Sequence, residues 1–169
     1  MSTKWNLDPA HSEITFKVRH MMISNVKGEF KNFSIDLESA DDEFKNVKAN
    51  AKIDTASIST NNTDRDNHLK SADFFNAEAN PKITFEASTL NGDVTGNLTL
   101  NGITKEISLD VDFGGINSDP WGNTKAGFSF EGKIKRSDFG LTWNAALETG
   151  GVMVSEDVKI AGELQFVKQ

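Results

Sequence analysis

Apolar and polar residues alternate in run after run along this chain, and a period of two is the signature of a strand with one buried face. From Ser12, Ile14, Phe16, Val18 and His20 fall on one side and Glu13, Thr15, Lys17 and Arg19 on the other. The pattern returns at Val47, Ala49, Ala51 and Ile53, at Ile83 and Phe85, and at Val94, Gly96, Leu98 and Leu100. It recurs at Ile107, Leu109, Val111 and Phe113, then at Ala126, Phe128, Phe130 and Ile134, and last at Val158, Ile160, Gly162, Leu164 and Phe166. Parity reverses between Val26-Gly28-Phe30 and Phe33-Ile35-Leu37, so a one-residue bulge near Lys31-Asn32 is expected to keep both sets inward. Asn101-Gly102 is a hairpin signal; Gly114-Gly115 through Asn123 reads as a loop and Arg136 to Gly140 as a turn. About eight strands result, and their spacing favours an antiparallel barrel or sandwich over a parallel sheet with crossover helices. The expected fold is all-β, an antiparallel eight-stranded β-barrel with one short helix between the third and fourth strands, forming a single domain over residues 1–169.

What fills such a barrel decides its function. Ala49 and Ala51 put small side chains at consecutive inward positions, leaving volume for neighbouring side chains or for a ligand. Gly28, Gly96, Gly127, Gly132 and Gly162 add gaps that serve either bending of the barrel or clearance for a guest. The chain has 12 Phe and no Tyr, a set that suits a dry lumen and equally a Phe-rich core. Strands of ten or more residues rise about 33 Å at roughly 3.3 Å per residue, and a long narrow tube suits a linear apolar guest. Phe16, Val18, Phe30, Ile53, Phe85, Leu98, Leu100, Ile107, Leu109, Phe128 and Phe130 are the residues expected to line it. Of the three tryptophans, Trp143 is the one expected to touch the guest.

A formal net charge of −7, with no Lys/Arg cluster standing out along the sequence, argues against a nucleic-acid partner. No apolar run approaches the roughly 18 residues needed to span a bilayer. The chain starts MSTKWNLDP, without a basic stretch followed by an apolar one, so a cytoplasmic location is expected. The absence of Cys removes disulfides, thiolate metal sites and thiol nucleophiles.

Ser59 to Glu86 departs from the alternation. Thr63 followed by Asp66 resembles a capping box, opening a short helix through Asn67, His68, Leu69 and Lys70. On such a helix Arg65, His68 and Leu69 share one face, and the paired aromatics Phe74 and Phe75 follow. With His20, which shares parity with Ile14, Phe16 and Val18, the group Arg65, Asp66 and His68 is placed to meet a polar head group. Arg65 and Asp66 serve equally as a local pair fixing the helix to the barrel rim. His11 reads as a residue pinning the first strand. No Gly-x-Ser-x-Gly elbow supports a nucleophile, and no close His spacing supports a metal site; catalytic residues, metal ligands and cofactors are therefore expected to be absent.

Four stretches carry a family resemblance: W-N-L-D-P-A-H-S-E-I-T-F-K-V-R-H at 5–20, G-E-F at 28–30, R-D-x-H-L-x-x-x-D-F-F at 65–75, and R-S-D-F-G-L at 136–141. In this order, over about 140 residues, they resemble the YceI family. The resemblance implies a lipocalin-like barrel that binds long apolar chains, polyisoprenoids such as quinone precursors or prenyl carriers in particular. His20, Arg65, Asp66, His68, Phe74 and Phe75 are the positions matching its signature. The expected function is carriage or storage of a long-chain isoprenoid or fatty-acyl-type lipid. Two other readings remain open: a lipid isomerase or hydrolase using His20 and His68 at the barrel mouth, and an interaction module with a filled core, homodimeric through an exposed edge or the Trp121 loop.

Overall fold

Side chains that alternate between water and a shared interior need strands that pair all the way round, and the sheet here does close on itself. A computed structural model describes residues 3–20, 23–40, 47–72, 74–90, 93–141 and 154–169. The strand segments are β1 (Thr3–Leu7), β2 (Glu13–His20), β3 (Ser24–Phe30), β4 (Phe33–Ser39), β5 (Val47–Asp54), β6 (Ile58–Ser59), β7 (Lys82–Leu90), β8 (Asp93–Leu100), β9 (Ile103–Ser118), β10 (Thr124–Lys135) and β11 (Val154–Lys168), with one helix, α1 (Thr63–Lys70). Every pairing is antiparallel, and the order β1-β4-β5-β7-β8-β9-β10-β11 returns to β1 through a direct β1–β11 ladder.

Eleven segments make eight barrel strands because three strands are broken. β11 pairs with β1 at Trp5↔Lys168 and Leu7↔Phe166, and with β2 at Phe16↔Ile160 and Val18↔Val158. β1 and β2 are thus one strand interrupted by a 3-10 turn at Pro9–His11. Asp8 holds that turn: its carboxylate accepts from the Ala10 N–H at 3.2 Å and pairs with His11 Nδ1 at 2.8 Å. β3 and β4 form a second broken strand, and β5 and β6 a third, kinked by a 3-10 turn at Thr55–Ser57. The two breaks face each other and satisfy each other's backbone: the Lys31 N–H donates to the Ser57 carbonyl and the Asp54 N–H to the Asn32 carbonyl.

Three expectations need correction. Counted by strand segment, the helix follows the sixth, β6, instead of lying between the third and the fourth, because the breaks divide the first three barrel strands into six segments. Parity changes at Lys31-Asn32 through that break, which leaves Val26, Gly28 and Phe30 inward and Ile35 and Leu37 inward after it, not through a one-residue bulge. The loop expected from Gly114 to Asn123 starts later: Gly114 and Gly115 lie inside β9, which runs to Ser118, with a register shift opposite Gly127/Phe128.

α1 is capped one residue earlier than its sequence implies. Asn62 Oδ1 accepts from the Arg65 N–H at 3.0 Å, a bond that satisfies one of the unpaired donors of the first turn. No residue of the helix is fully buried; half-buried Leu69 packs against the core, and hydrogen bonds supply the rest of the anchoring. Two apolar clusters occupy the barrel. One, near the chain termini, comprises Trp5, Ile35, Leu37, Val47, Ala126, Phe128 and Phe166; the other, toward α1, includes Phe30, Ile53, Ile83, Leu98, Ile134 and Phe139.

Candidate ligand-binding cavity

The inward residues do not meet across the barrel. Phe30, Ile53, Leu98 and Phe128 are buried, yet Ile14, Phe16, Phe85, Ile107, Phe130 and Ile160, on the same inward face, are only half-buried. Their remaining surface faces a lumen of about 350 Å³. Ligand pockets typically measure about 300–1,000 Å³, so the space takes one guest rather than several. Among the described residues, only Arg65, His68 and Arg136 bring a polar group to its wall. A polar group buried without a partner costs roughly 1–3 kcal/mol, so such a wall selects hydrocarbon and rejects polar chains.

The lumen stays open because of where the rings lie. Gly28 is opposite Phe16 on the neighbouring strand, and a Cβ at Gly28 would overlap the Phe16 ring. Gly162 is opposite Phe130, with the same overlap. Each aromatic ring therefore packs on the glycine of the neighbouring strand, a cross-strand covering that only a missing side chain allows. Neither the bending nor the ligand-clearance role expected of these glycines describes them: the volume they free is taken by a neighbour's ring. Gly127 differs, with nothing within 4 Å of an added Cβ.

Segments that connect strands at the α1 end complete the wall. Arg65 and Asp66 converge on Thr60, which is 5% exposed. Arg65 donates from Nε to Thr60 Oγ1 at 2.8 Å and from Nη2 to the Thr60 carbonyl at 2.9 Å, while Asp66 Oδ1 accepts from the Thr60 N–H at 2.7 Å and from its hydroxyl at 2.6 Å. This clasp ties α1 to the end of β6, the rim-fixing role that the local pair was read as filling. Beyond it, the His68 ring meets Phe74 edge-on at 5.1 Å, and Phe75 stands edge-on to Phe30 at 6.0 Å.

Of the residues expected to touch a guest, Phe16, Val18, Phe30, Ile53, Arg65, His68, Phe74, Phe75, Phe85, Leu98, Leu100, Ile107, Leu109, Phe128 and Phe130 line the lumen. Asp66 does not; its carboxylate is occupied by Thr60. The His20 side chain and Trp143 lie outside the described residues. Arg136 lines the lumen without having been singled out. It is 4% exposed, and its guanidinium donates to the carbonyls of Ser155 at 2.8 Å, Leu141 at 2.6 Å and Val154 at 3.2 Å. Burial pulls its pKa below the usual arginine value, opposed by the Glu156 charge. Parity could have found it, since Arg136 continues the inward series of Ala126, Phe128, Phe130 and Ile134 by one more step.

No helix among the described residues is long and apolar enough to cross a membrane, and they hold no group of three His, Asp or Glu that could bind a metal ion. The chain is similar to a UPF0312 protein of Staphylococcus epidermidis, at 45% identity over 97% of each chain. It is similar to the crystal structure of a Campylobacter jejuni YceI protein, with a TM-score of 0.76 and 36% identity over 89% of this chain and 90% of that one. It shares a fold with a polyisoprenoid binding domain from Saccharophagus degradans, with a TM-score of 0.73 at 16% identity over 98% of each. The model of the YceI-like domain matches residues 5–166, and the chain belongs to that family.

Proposed function

We propose that this barrel binds a single long apolar chain, of the polyisoprenoid class, and serves as its carrier or store. The observation that carries the proposal is a lumen walled by hydrocarbon, in which half-buried phenylalanines face empty space. An unfilled apolar lumen forfeits the contacts that interior packing would give, and a hydrocarbon guest restores them. Each CH₂ moved from water contributes about 0.8 kcal/mol. A few dozen carbons would nominally exceed the ceiling of about 18–21 kcal/mol for non-covalent affinity, so chain ordering and imperfect fit must absorb the surplus. Binding is therefore tight, selective for length and shape above functional groups, and slow to exchange.

The polyisoprenoid class, in preference to acyl chains, rests on family membership and on the shared fold with the Saccharophagus degradans domain. Branched isoprene units also fit a wall in which rings pack on glycines and Ala49, Ala51 and Ala87 leave recesses. Binding without chemistry is favoured because Arg65 and Arg136 are engaged in structural hydrogen bonds to Thr60 and to backbone carbonyls. The test is organic extraction of protein purified from its host, followed by mass spectrometry. One apolar chain per barrel, displaced in an Ala51→Phe variant that stays folded, is the expected result. Extracts empty of lipid in repeated preparations would contradict it.

A further inference from the structure

The outer face of the barrel carries a charge arrangement that the sequence scatters and the register assembles. Lys133 of β10 is opposite Lys159 of β11, Lys159 is opposite Lys17 of β2, and Lys17 is opposite Lys27 of β3. All four are exposed. Four ammonium groups thus stand in one row across four adjacent strands, about 14 Å long at ~4.8 Å per strand, on a chain of formal net charge −7. Like charges directly opposite one another destabilise a sheet; Asp157, 3.6 Å from Lys133, offsets the repulsion at one end of the row.

Two neighbouring rows show that charge is sorted along the barrel axis. Toward the chain termini the next row reads Glu131, Ala161, Thr15, Glu29. Toward α1, Lys135 is opposite Asp157 and exposed Arg19 is opposite Asn25, and Lys17, Arg19, Lys133 and Lys159 share one surface recess with Asp157. The β2–β3 hairpin that supplies Lys17 and Lys27 turns at this same end, where Ile23 is 77% exposed. Arg65, His68 and Arg136, the polar groups of the lumen wall, also come from segments at this end.

We propose that the barrel docks at its α1 end on a membrane surface rich in anionic lipid, with the lysine row against the head groups and Ile23 entering the interfacial layer. A straight cationic row complements a flat anionic surface, and each Lys near such a surface adds attraction that salt weakens. An exposed aliphatic tip gains nothing from a soluble polyanion but partitions into a bilayer interface. A polyanion wrapping the molecule would also meet its acidic remainder, whereas a flat surface laid against the lysine row meets chiefly that row and the Asp157 carboxylate beside it. The purpose of docking rests on the carrier reading: it brings the polar-lined end of the lumen to the bilayer that supplies or receives the chain.

The experiment is co-sedimentation of the full chain with vesicles of phosphatidylcholine alone and of phosphatidylcholine with about one-third phosphatidylglycerol, at roughly 0.1 M salt. Partition into the anionic vesicles is expected to exceed that into neutral ones by at least ~10-fold. The double variant Lys17→Glu/Lys159→Glu should lose at least ~10-fold, Ile23→Asp about threefold, and Lys105→Glu, outside the row, nothing. Equal partition into both vesicle types, or a double variant that binds as the wild type does, would overturn the proposal. So would competition by heparin combined with indifference to Ile23→Asp, which would assign the row to a soluble polyanion. Thermal midpoints of the variants, unchanged or raised because repulsion is relieved, exclude misfolding as the cause of lost binding. Lipid extracted from the same samples separates the two readings. Cargo without vesicle binding overturns docking alone; vesicle binding without cargo overturns the carrier reading alone.

Discussion

At the termini end of the barrel Trp5, Ala126 and Phe166 are 1–2% exposed, and Phe128 packs edge-on against Phe166 at 5.8 Å. At the α1 end Phe139 and Leu141 are buried as well, but α1 itself buries no residue and hydrogen bonds add to the closure. Thr60 sits between Arg65 and Asp66, Arg136 reaches three carbonyls, and Asn101 donates to the Phe139 carbonyl at 3.1 Å while accepting from Asn80 Nδ2 at 3.1 Å. The difference bears on access. Opening the packed end exposes apolar surface with no compensation, whereas opening the bonded end exchanges protein partners for water at a net cost of about 0.5–1.5 kcal/mol per bond. A guest chain is therefore expected to enter and leave past α1, with the termini end acting as a fixed floor.

That contrast can be broken by substitution. Trp5→Ala removes the largest side chain of the floor cluster and should cost ~3–5 kcal/mol in urea unfolding; a loss below about 1 kcal/mol would mean the floor is not tightly packed. Arg136→Met leaves three carbonyls to find water or stay unpaired, at about 1–3 kcal/mol, offset in part because a desolvated cation is gone. Thr60→Val removes the two hydroxyl bonds of the clasp and keeps the two to its backbone, loosening α1 for ~1 kcal/mol, yet should speed transfer of a bound chain to acceptor vesicles severalfold. Trp5→Ala should leave that transfer rate unchanged while the protein is folded. If the two variants changed transfer equally, the ends would not differ in the way described.

The smallest expected effects concern pH. At the floor, the hydrogen bond from His11 holds the Asp8 carboxyl below the usual carboxylate range, aided by Lys125 and the Ala10 N–H. At the α1 end, the Ser137 hydroxyl and N–H do the same for Glu156, with the Arg136 charge adding to it. A carboxylate whose folded pKa is depressed contributes stability above its unfolded value, near 4, and loses that contribution as pH falls through the lower folded value. Asp8→Asn should thus be slightly destabilising at neutral pH, with the difference from wild type vanishing under acid. A difference that grew on acidification would have the wrong sign for this contact.

The inward faces were legible in the sequence because period two is a local property: from Ile14 to Phe166, residues one strand apart announce their side without knowing their neighbours. What depends on which strands lie together was not. Phe16 covers Gly28 and Phe130 covers Gly162 only once β2 meets β3 and β10 meets β11, so the glycines read as gaps when they are seats for rings. The lysine row is invisible for the same reason, its members being separated by up to most of the chain. Asn62 and not Thr63 caps the helix, its side chain accepting from the Arg65 N–H, a boundary that composition leaves open by one residue. Arg136 was passed over inside an apparent turn, although its parity marked it as inward.

An unextracted crystal of the protein, grown without detergent or added lipid, tests the account most directly. Continuous, regularly methyl-branched electron density running through the lumen from α1 toward Phe128 is the expected result. A lumen holding only discrete water peaks, or one in which Phe16 and Phe130 have swung off their glycines and met in the middle, would contradict it.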